Sequence, residues 1–180
     1  YQKEKLMIGV MGLGSIGKEV AIRLSENGFN VSGWANSKKT IPNVITYSKD
    51  QLDAFLEATN VLVCLLPLTD ETKEILNLSL FKKLNPPGFL VNVGRGEHLV
   101  EEDLIYALDM NLLNHASLDV FQKEPLPESH PFWGRDQITI TPHIASVTEP
   151  EEVAELILEN YKRMLSSMEL INRVDRYRGY

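Results

Sequence analysis

Gly12-Leu13-Gly14-Ser15-Ile16-Gly17 has the spacing G-x-G-x-x-G. Glycines so spaced suit the pyrophosphate of a dinucleotide. Gly12 would permit the tight turn, Gly14 would let backbone approach the phosphates, and Gly17 would let helix and strand pack closely. Free N–H groups of Ser15, Ile16 and Gly17, with the helix dipole, would then attract the anion. Any strand-to-helix turn could carry this spacing. Here it follows an apolar run, residues 6–11, and opens an amphipathic segment, the context that gives it meaning.

A second cue concerns which dinucleotide. An NAD site places an acid near the end of the second strand, where it holds the ribose hydroxyls. That strand ends here in Trp34-Ala35-Asn36-Ser37-Lys38-Lys39, and no acid stands between Glu26 and Asp50. A 2′-phosphate would gain from Lys38 and Lys39, with Asn36 and Ser37 as hydrogen-bond donors. NADP(H) is therefore expected ahead of NAD(H). The plainer reading makes the lysines a solvated loop.

These residues need elements to hold them. Apolar runs predict strands at 6–11, 30–34, 43–47, 61–66, 89–93, 115–120 and 138–141. Helical spacing is expected over 15–27, 49–58, 69–84 (with a break) and 101–110, and Gly28 supplies a left-handed stop after the first. Residues 121–136 carry three prolines and read as a long loop. Strand and helix alternate throughout, which implies an α/β fold: a doubly wound parallel sheet of the Rossmann type with right-handed crossovers. The continuous apolar run 61–66 suits a sheet covered on both faces.

After Pro150 the pattern changes. Val153, Leu156, Ile157, Tyr161, Met164 and Leu165 make one apolar stripe at helical spacing. Glu151, Glu152 and Glu155 sit where the helix dipole favours acids. A polar tail, 174–180, closes the chain. The expected division is a dinucleotide-binding domain over 1–148 and a C-terminal helix and tail over 149–180.

Bulk properties narrow the partners. Net charge is −7, with 43% hydrophobic and 24% charged residues. Such a balance disfavours nucleic acid and anionic membrane surfaces, which need clustered Lys and Arg. No apolar run approaches a membrane span. The single cysteine, Cys64, reads as a buried inert thiol and fits a reducing cytoplasm. No metal site is expected. The chain opens on Tyr1 and enters a strand almost at once, so a fragment of a longer protein is expected.

Three further segments are distinctive: Gly94-Arg95-Gly96; Leu118-Asp119-Val120-Phe121 leading to Glu124-Pro125; and Thr141-Pro142-His143-Ile144-Ala145. Together with the glycine turn, they resemble the D-isomer-specific 2-hydroxyacid dehydrogenases over essentially the whole chain. Trp34 with its basic loop, residues 97–100, Pro131-Phe132-Trp133 and the ending 174–180 most resemble the glyoxylate/hydroxypyruvate reductase A subgroup. That subgroup tends to have an arginine where Asn36 stands, which leaves the positive charge to Lys38 and Lys39.

The resemblance implies an NAD(P)-dependent oxidoreductase that reduces small 2-keto acids such as glyoxylate and hydroxypyruvate. By motif, the family's Arg, Glu and His fall on Arg95, Glu124 and His143. His143 would be the general acid, since imidazole titrates near neutrality. Glu124 would orient its ring and favour the protonated form. Arg95 would bind the substrate carboxylate with its planar fork. Taken singly, each of the three is more ordinarily a surface or structural residue. His98, His115 and His130 match no catalytic motif and read as surface or structural.

Further cofactor contacts follow from the same resemblance. Leu66, Pro67 and Leu68 would flank the adenosine, and Thr72 would reach a phosphate. Val93 and Gly94 would line the nicotinamide side, Asp119 would accept a hydrogen bond there, and Ala145 with Ser146 would complete that wall. Family members also carry a substrate domain, built mainly from residues before the glycine-turn strand, against which the C-terminal helix packs. They dimerise through the cofactor domain, so a homodimer is expected, and a fragment of this kind would bind cofactor with little turnover. A dinucleotide-sensing corepressor of the same fold is the alternative, and an intact Arg, Glu and His weigh only mildly against it. A methyltransferase reading of the glycine turn leaves those three motifs unexplained.

Overall fold

The computed structural model describes residues 3–146 and 150–174. Tyr1 and the polar tail from 175 onward lie outside the described residues. The chain forms two compact units, Tyr1–His143 and Ile144–Tyr180.

In the first unit seven strands form one sheet: β1 (Met7–Met11), β2 (Asn30–Trp34), β3 (Ile45–Tyr47), β4 (Val61–Cys64), β5 (Phe89–Asn92), β6 (His115–Leu118) and β7 (Ile138–Ile140). Every pairing is parallel, in the order β3-β2-β1-β4-β5-β6-β7. All seven apolar runs became strands, and the expected doubly wound sheet is what they build. The connections reverse direction between β1 and β4, the switch point at which such sheets bind ligands.

Four helices accompany the sheet: α1 (Ser15–Glu26), α2 (Leu52–Ala58), α3 (Leu78–Phe81) and α4 (Glu101–Asp109). Successive strand residues point to opposite faces, and the core divides accordingly. Val10 and Val31 pack with Ala21, Val20 and Leu24 of α1. Met11 and Leu62 join Phe55 and Leu56 of α2 and Leu104 and Leu108 of α4 in a larger cluster. Gly28, at φ 80°, ends the first helical connection as expected.

Two expectations need correction. Residues 69–84 are not a long helix; only α3 is helical there. Glu74 takes a left-handed φ of 56°. The chain then runs beside the segment after β5: Glu74 N–H donates to Glu97 O and Leu76 N–H to His98 O, both at 2.8 Å. Backbone pairing with a distant segment overrides the local helical spacing. Nor is the run 61–66 buried on both faces. Residues of β4, β5 and β6 alternate half-buried and buried, because the α1 cluster covers β1 and β2 and does not extend across these strands.

The second unit holds α5 (Pro150–Leu165) and a return segment. Asn160 clasps Ile171 through both its backbone groups, at 2.8 and 3.2 Å. The expected helix is present, with Ile157, Tyr161, Met164 and Leu165 exposed. No helix among the described residues is long and apolar enough to cross a membrane.

The tightest constraint in the fold is at the first turn. A Cβ on Gly17 would stand 1.8 Å from Gly12 O, and one on Gly12 (φ +106°) 2.7 Å from Leu65 O. Gly17→Ala is expected to displace the start of α1 and lower stability by about 1–3 kcal/mol. Urea unfolding measures this, and an unchanged midpoint would contradict the packing described.

Candidate active site

Because all seven strands are parallel, their carboxyl ends share one edge, and nearly every candidate residue lies just beyond it. β1 leads to the glycine turn, which is fastened at two points: Gly12 N–H donates to Trp34 O (2.9 Å) and Leu65 N–H to Met11 O (2.8 Å). The turn is thereby tied to the ends of β2 and β4. Gly14 caps α1 with no side-chain hydrogen bond, and the first turn carries no acid. The N–H groups at that helix start are left to an anion. Nothing lies within 4 Å of where a Gly14 Cβ would be. Ser15 is exposed, and Ile16 is bare at 61% exposure. An open cradle, an uncapped helix start and an uncovered apolar side chain together fit a dinucleotide.

At the end of β2, Trp34 is buried, and its Nε1 has no hydrogen-bond partner among the described residues. Asn36, Ser37, Lys38 and Lys39 follow it on the surface. Neither lysine forms an ion pair with a described residue. After β4, Leu66 is buried while Leu68 is exposed. Thr72 is buried, donates to Pro67 O (2.7 Å) and accepts from Thr69 N–H (2.8 Å). Its hydroxyl thus holds the loop in shape.

Beyond β5 come Val93, half-buried, and Gly94, buried, then Arg95, exposed. The Arg95 loop is fixed by neighbours that the sequence reading passed over. Asn92 is fully buried; its Nδ2 donates to Arg95 O (3.1 Å) and its Oδ1 accepts from Gly94 N–H (3.2 Å). His98, read from sequence as surface or structural, is fully buried and accepts from Arg95 N–H at 3.1 Å. Gly96 presses on the next loop: a Cβ there would be 1.9 Å from the carbonyl carbon of Phe121.

The loop after β6 and the end of β7 bring the other two candidates together. His143 Nδ1 lies 2.7 Å from Glu124 Oε2. Glu124 Oε1 accepts from Phe121 N–H (3.0 Å). His143 adopts a left-handed φ of 56°, and its N–H donates to Asp119 O at 2.9 Å. Asp119 is buried and accepts from the Thr141 hydroxyl at 2.5 Å. Strained backbone of this kind concentrates at functional sites. Among the described residues no hydrogen bond or ion pair joins Arg95 to the pair. It reaches their neighbourhood through Gly96 and Phe121. A cavity of about 360 Å³ adjoins the pair, walled by Phe121, Pro125, Leu126, Trp133, Ile140 and Pro142. Ala145 belongs to the second unit and is exposed. Among the described residues no cluster of three His, Cys, Asp or Glu could hold a metal ion.

The electrostatics agree with this geometry. The hydrogen bond from His143, then that from Phe121 N–H, hold the Glu124 carboxyl below its ordinary value of 4.5. Burial pushes the Cys64 thiol up to about 12, so it is inert as expected. His130 and His115 sit apart from the pair, on Glu101 and Thr139.

The sheet edge thus carries an open, uncapped helix start, an arginine and a carboxylate-bound histidine. Residues 2–145 match the family described as D-isomer specific 2-hydroxyacid dehydrogenase, NAD binding domain. The chain belongs to that family of oxidoreductases. Glyoxylate/hydroxypyruvate reductase A of Photorhabdus laumondii subsp. laumondii is 45% identical, the match taking in 100% of this chain and 58% of the relative. The protein of the same description from Yersinia enterocolitica is 43% identical over the same shares. Among solved structures, the NADPH-dependent glyoxylate/hydroxypyruvate reductase of Sinorhizobium meliloti, in complex with NADP and sulfate, superposes with a TM-score of 0.96 at 39% identity. That match covers 100% of this chain and 59% of the other. A dehydrogenase of the family from Xanthobacter autotrophicus, in complex with NADPH and MES, also gives 0.96, at 36% identity over 100% and 75% of the two chains. The chain spans about 58% of the length of the curated relatives it matches.

Because the Glu124 carboxyl is held low, its contribution to stability is present at neutral pH and is lost as pH falls through the lowered value. The stability difference between wild type and Glu124→Gln should shrink as pH falls below 4.5. Urea unfolding across that range checks it. The effect will be small, since the pair is partly exposed.

Proposed function

We propose that this chain is the cofactor-binding domain of a cytoplasmic, homodimeric NADPH-dependent reductase of small 2-keto acids, glyoxylate and hydroxypyruvate foremost. The observation that carries the reading is the 2.7 Å contact between His143 Nδ1 and Glu124 Oε2, on the same sheet edge as the glycine cradle. The printed descriptions of the relatives favour the substrate class, and those of two solved neighbours favour NADP(H).

Gly12, Gly14, Ser15, Ile16 and Gly17 would hold the pyrophosphate. Trp34 would floor the adenosine side, with Asn36, Ser37, Lys38 and Lys39 at the 2′-phosphate. Leu66, Pro67 and Leu68 would flank the adenosine, and Thr72 would brace that loop. Val93, Gly94 and Asp119 would serve the nicotinamide end. The bound cofactor would supply the hydride. Arg95 would take the substrate carboxylate in bidentate fashion. His143, with Nδ1 committed to Glu124, has only Nε2 free, and from Nε2 it would protonate the carbonyl oxygen. Glu124 would hold the ring in that orientation and stabilise its charged form. In the reverse direction His143 would accept the proton.

A substrate domain absent from this chain would close the cleft, and α5 would pack against it. The 180-residue chain alone is therefore expected to bind cofactor and turn over poorly. Fluorescence titration should give NADPH a dissociation constant about tenfold or more below that of NADH, with Lys38→Ala/Lys39→Ala erasing the difference. Equal affinities, or tighter NADH, would sink the NADP assignment. In the full-length protein His143→Ala should lower kcat by about 10²–10⁴-fold. An unchanged rate would remove His143 from the chemistry.

A further inference from the structure

One buried titratable group, His98, has no part in the proposed chemistry. His98 is fully buried, yet both ring nitrogens face the two loops that flank the site. Nδ1 lies 3.1 Å from the backbone N–H of Arg95, and Nε2 lies 3.3 Å from Pro67 O. The first loop carries the arginine, and the second follows β4 beside the glycine turn.

We infer that His98 is a positioning residue: as the neutral Nε2–H tautomer it fastens the Arg95 loop to the Pro67 loop and so aims Arg95 at the substrate carboxylate. The inference rests on Arg95 having that role.

The tautomer follows from the partners. Arg95 N–H can only donate, so Nδ1 must accept and carry no proton. Pro67 O can only accept, so Nε2 must donate. One neutral tautomer satisfies both contacts. The imidazolium would set Nδ1–H against Arg95 N–H, two donors facing each other. Burial agrees, pushing the His98 pKa down. The Cys64 sulfur lies 3.8 Å from Nδ1, and the thiol stays protonated, so it adds no charge there. Close packing fixes the ring as well. A Cβ on Gly94 would come within 3.0 Å of Nδ1, which explains a glycine immediately before the arginine. Without the Nδ1 acceptor, Arg95 N–H would lose its partner, and the arginine would lose its fixed origin. A displacement of about 1 Å in a binding group can cost on the order of 100-fold in rate.

Two substitutions separate aiming from filling. Asn places an acceptor near the Nδ1 position and can still take the Arg95 N–H. Gln extends its amide toward Pro67 and leaves no acceptor at Nδ1. In the full-length enzyme with saturating NADPH and varied glyoxylate, His98→Gln should raise KM for glyoxylate about tenfold or more. His98→Asn should stay within about threefold of wild type, and NADPH affinity should hold in both. Equal losses in the two variants, or a loss confined to NADPH binding, would overturn the inference and leave His98 a core residue only. Arg95→Ala run alongside distinguishes the two levels. If it leaves KM for glyoxylate unchanged, the role of Arg95 fails, and this inference with it. Should the variants not fold, nitrogen NMR of labelled histidine in the wild-type protein decides. Protonated Nε2 with bare Nδ1 is expected, and the opposite tautomer would refute it.

Discussion

Parallel pairing is the constraint on which the rest of the site depends. Seven strands running one way put seven carboxyl ends on a single edge, and segments from the glycine turn to His143 reach it without any local signal to bring them. The glycine turn then makes the edge usable. Gly12 and Gly17 are at a distance no side chain could occupy, so the first helix starts close against β1 with its N–H groups facing outward. A methyl group at either position would push that helix start away and blunt the anion cradle.

From this edge a chain of short contacts runs across the loops. Asn92 and His98 hold Arg95 from beneath. Gly96 lies flat on Phe121, Phe121 N–H holds Glu124, and Glu124 holds His143. Apart from the exposed Glu124–His143 pair, the links are backbone groups or buried polar side chains with their partners in place, which is how a site is kept rigid without a ligand. The three residues proposed for the chemistry are exposed or half-exposed, while several that fix them are buried. Reactive groups need access, and their supports need exclusion from water.

The sequence displayed the frame better than its joints. Seven apolar runs and the glycine spacing sufficed for the sheet, and the motifs around Arg95, Glu124 and His143 pointed to the site by resemblance. Residues 69–84 misled because a helical spacing there is overruled by hydrogen bonds to residues 97–100, a partner no local pattern reveals. The run 61–66 misled because apolar composition does not say which stretch of the sheet α1 will reach. His98 offered no periodicity and no motif. Its burial follows only once the loops after β4 and β5 are known to converge.

If the Glu124–His143 pair has the proposed role, it divides into a part the first unit supplies and a part it does not. Its distance and orientation come from backbone contacts within the first unit, so geometry needs no further domain. Its electrostatics do. The two side chains are 36% and 50% exposed, and an ion pair in contact with water gains little from its Coulomb term. Covering the edge would leave the distance unchanged and lower the dielectric around it, strengthening the hold of Glu124 on a protonated His143. Orientation and field strength are therefore separable here. The sheet edge fixes the first, and whatever closes over that edge sets the second.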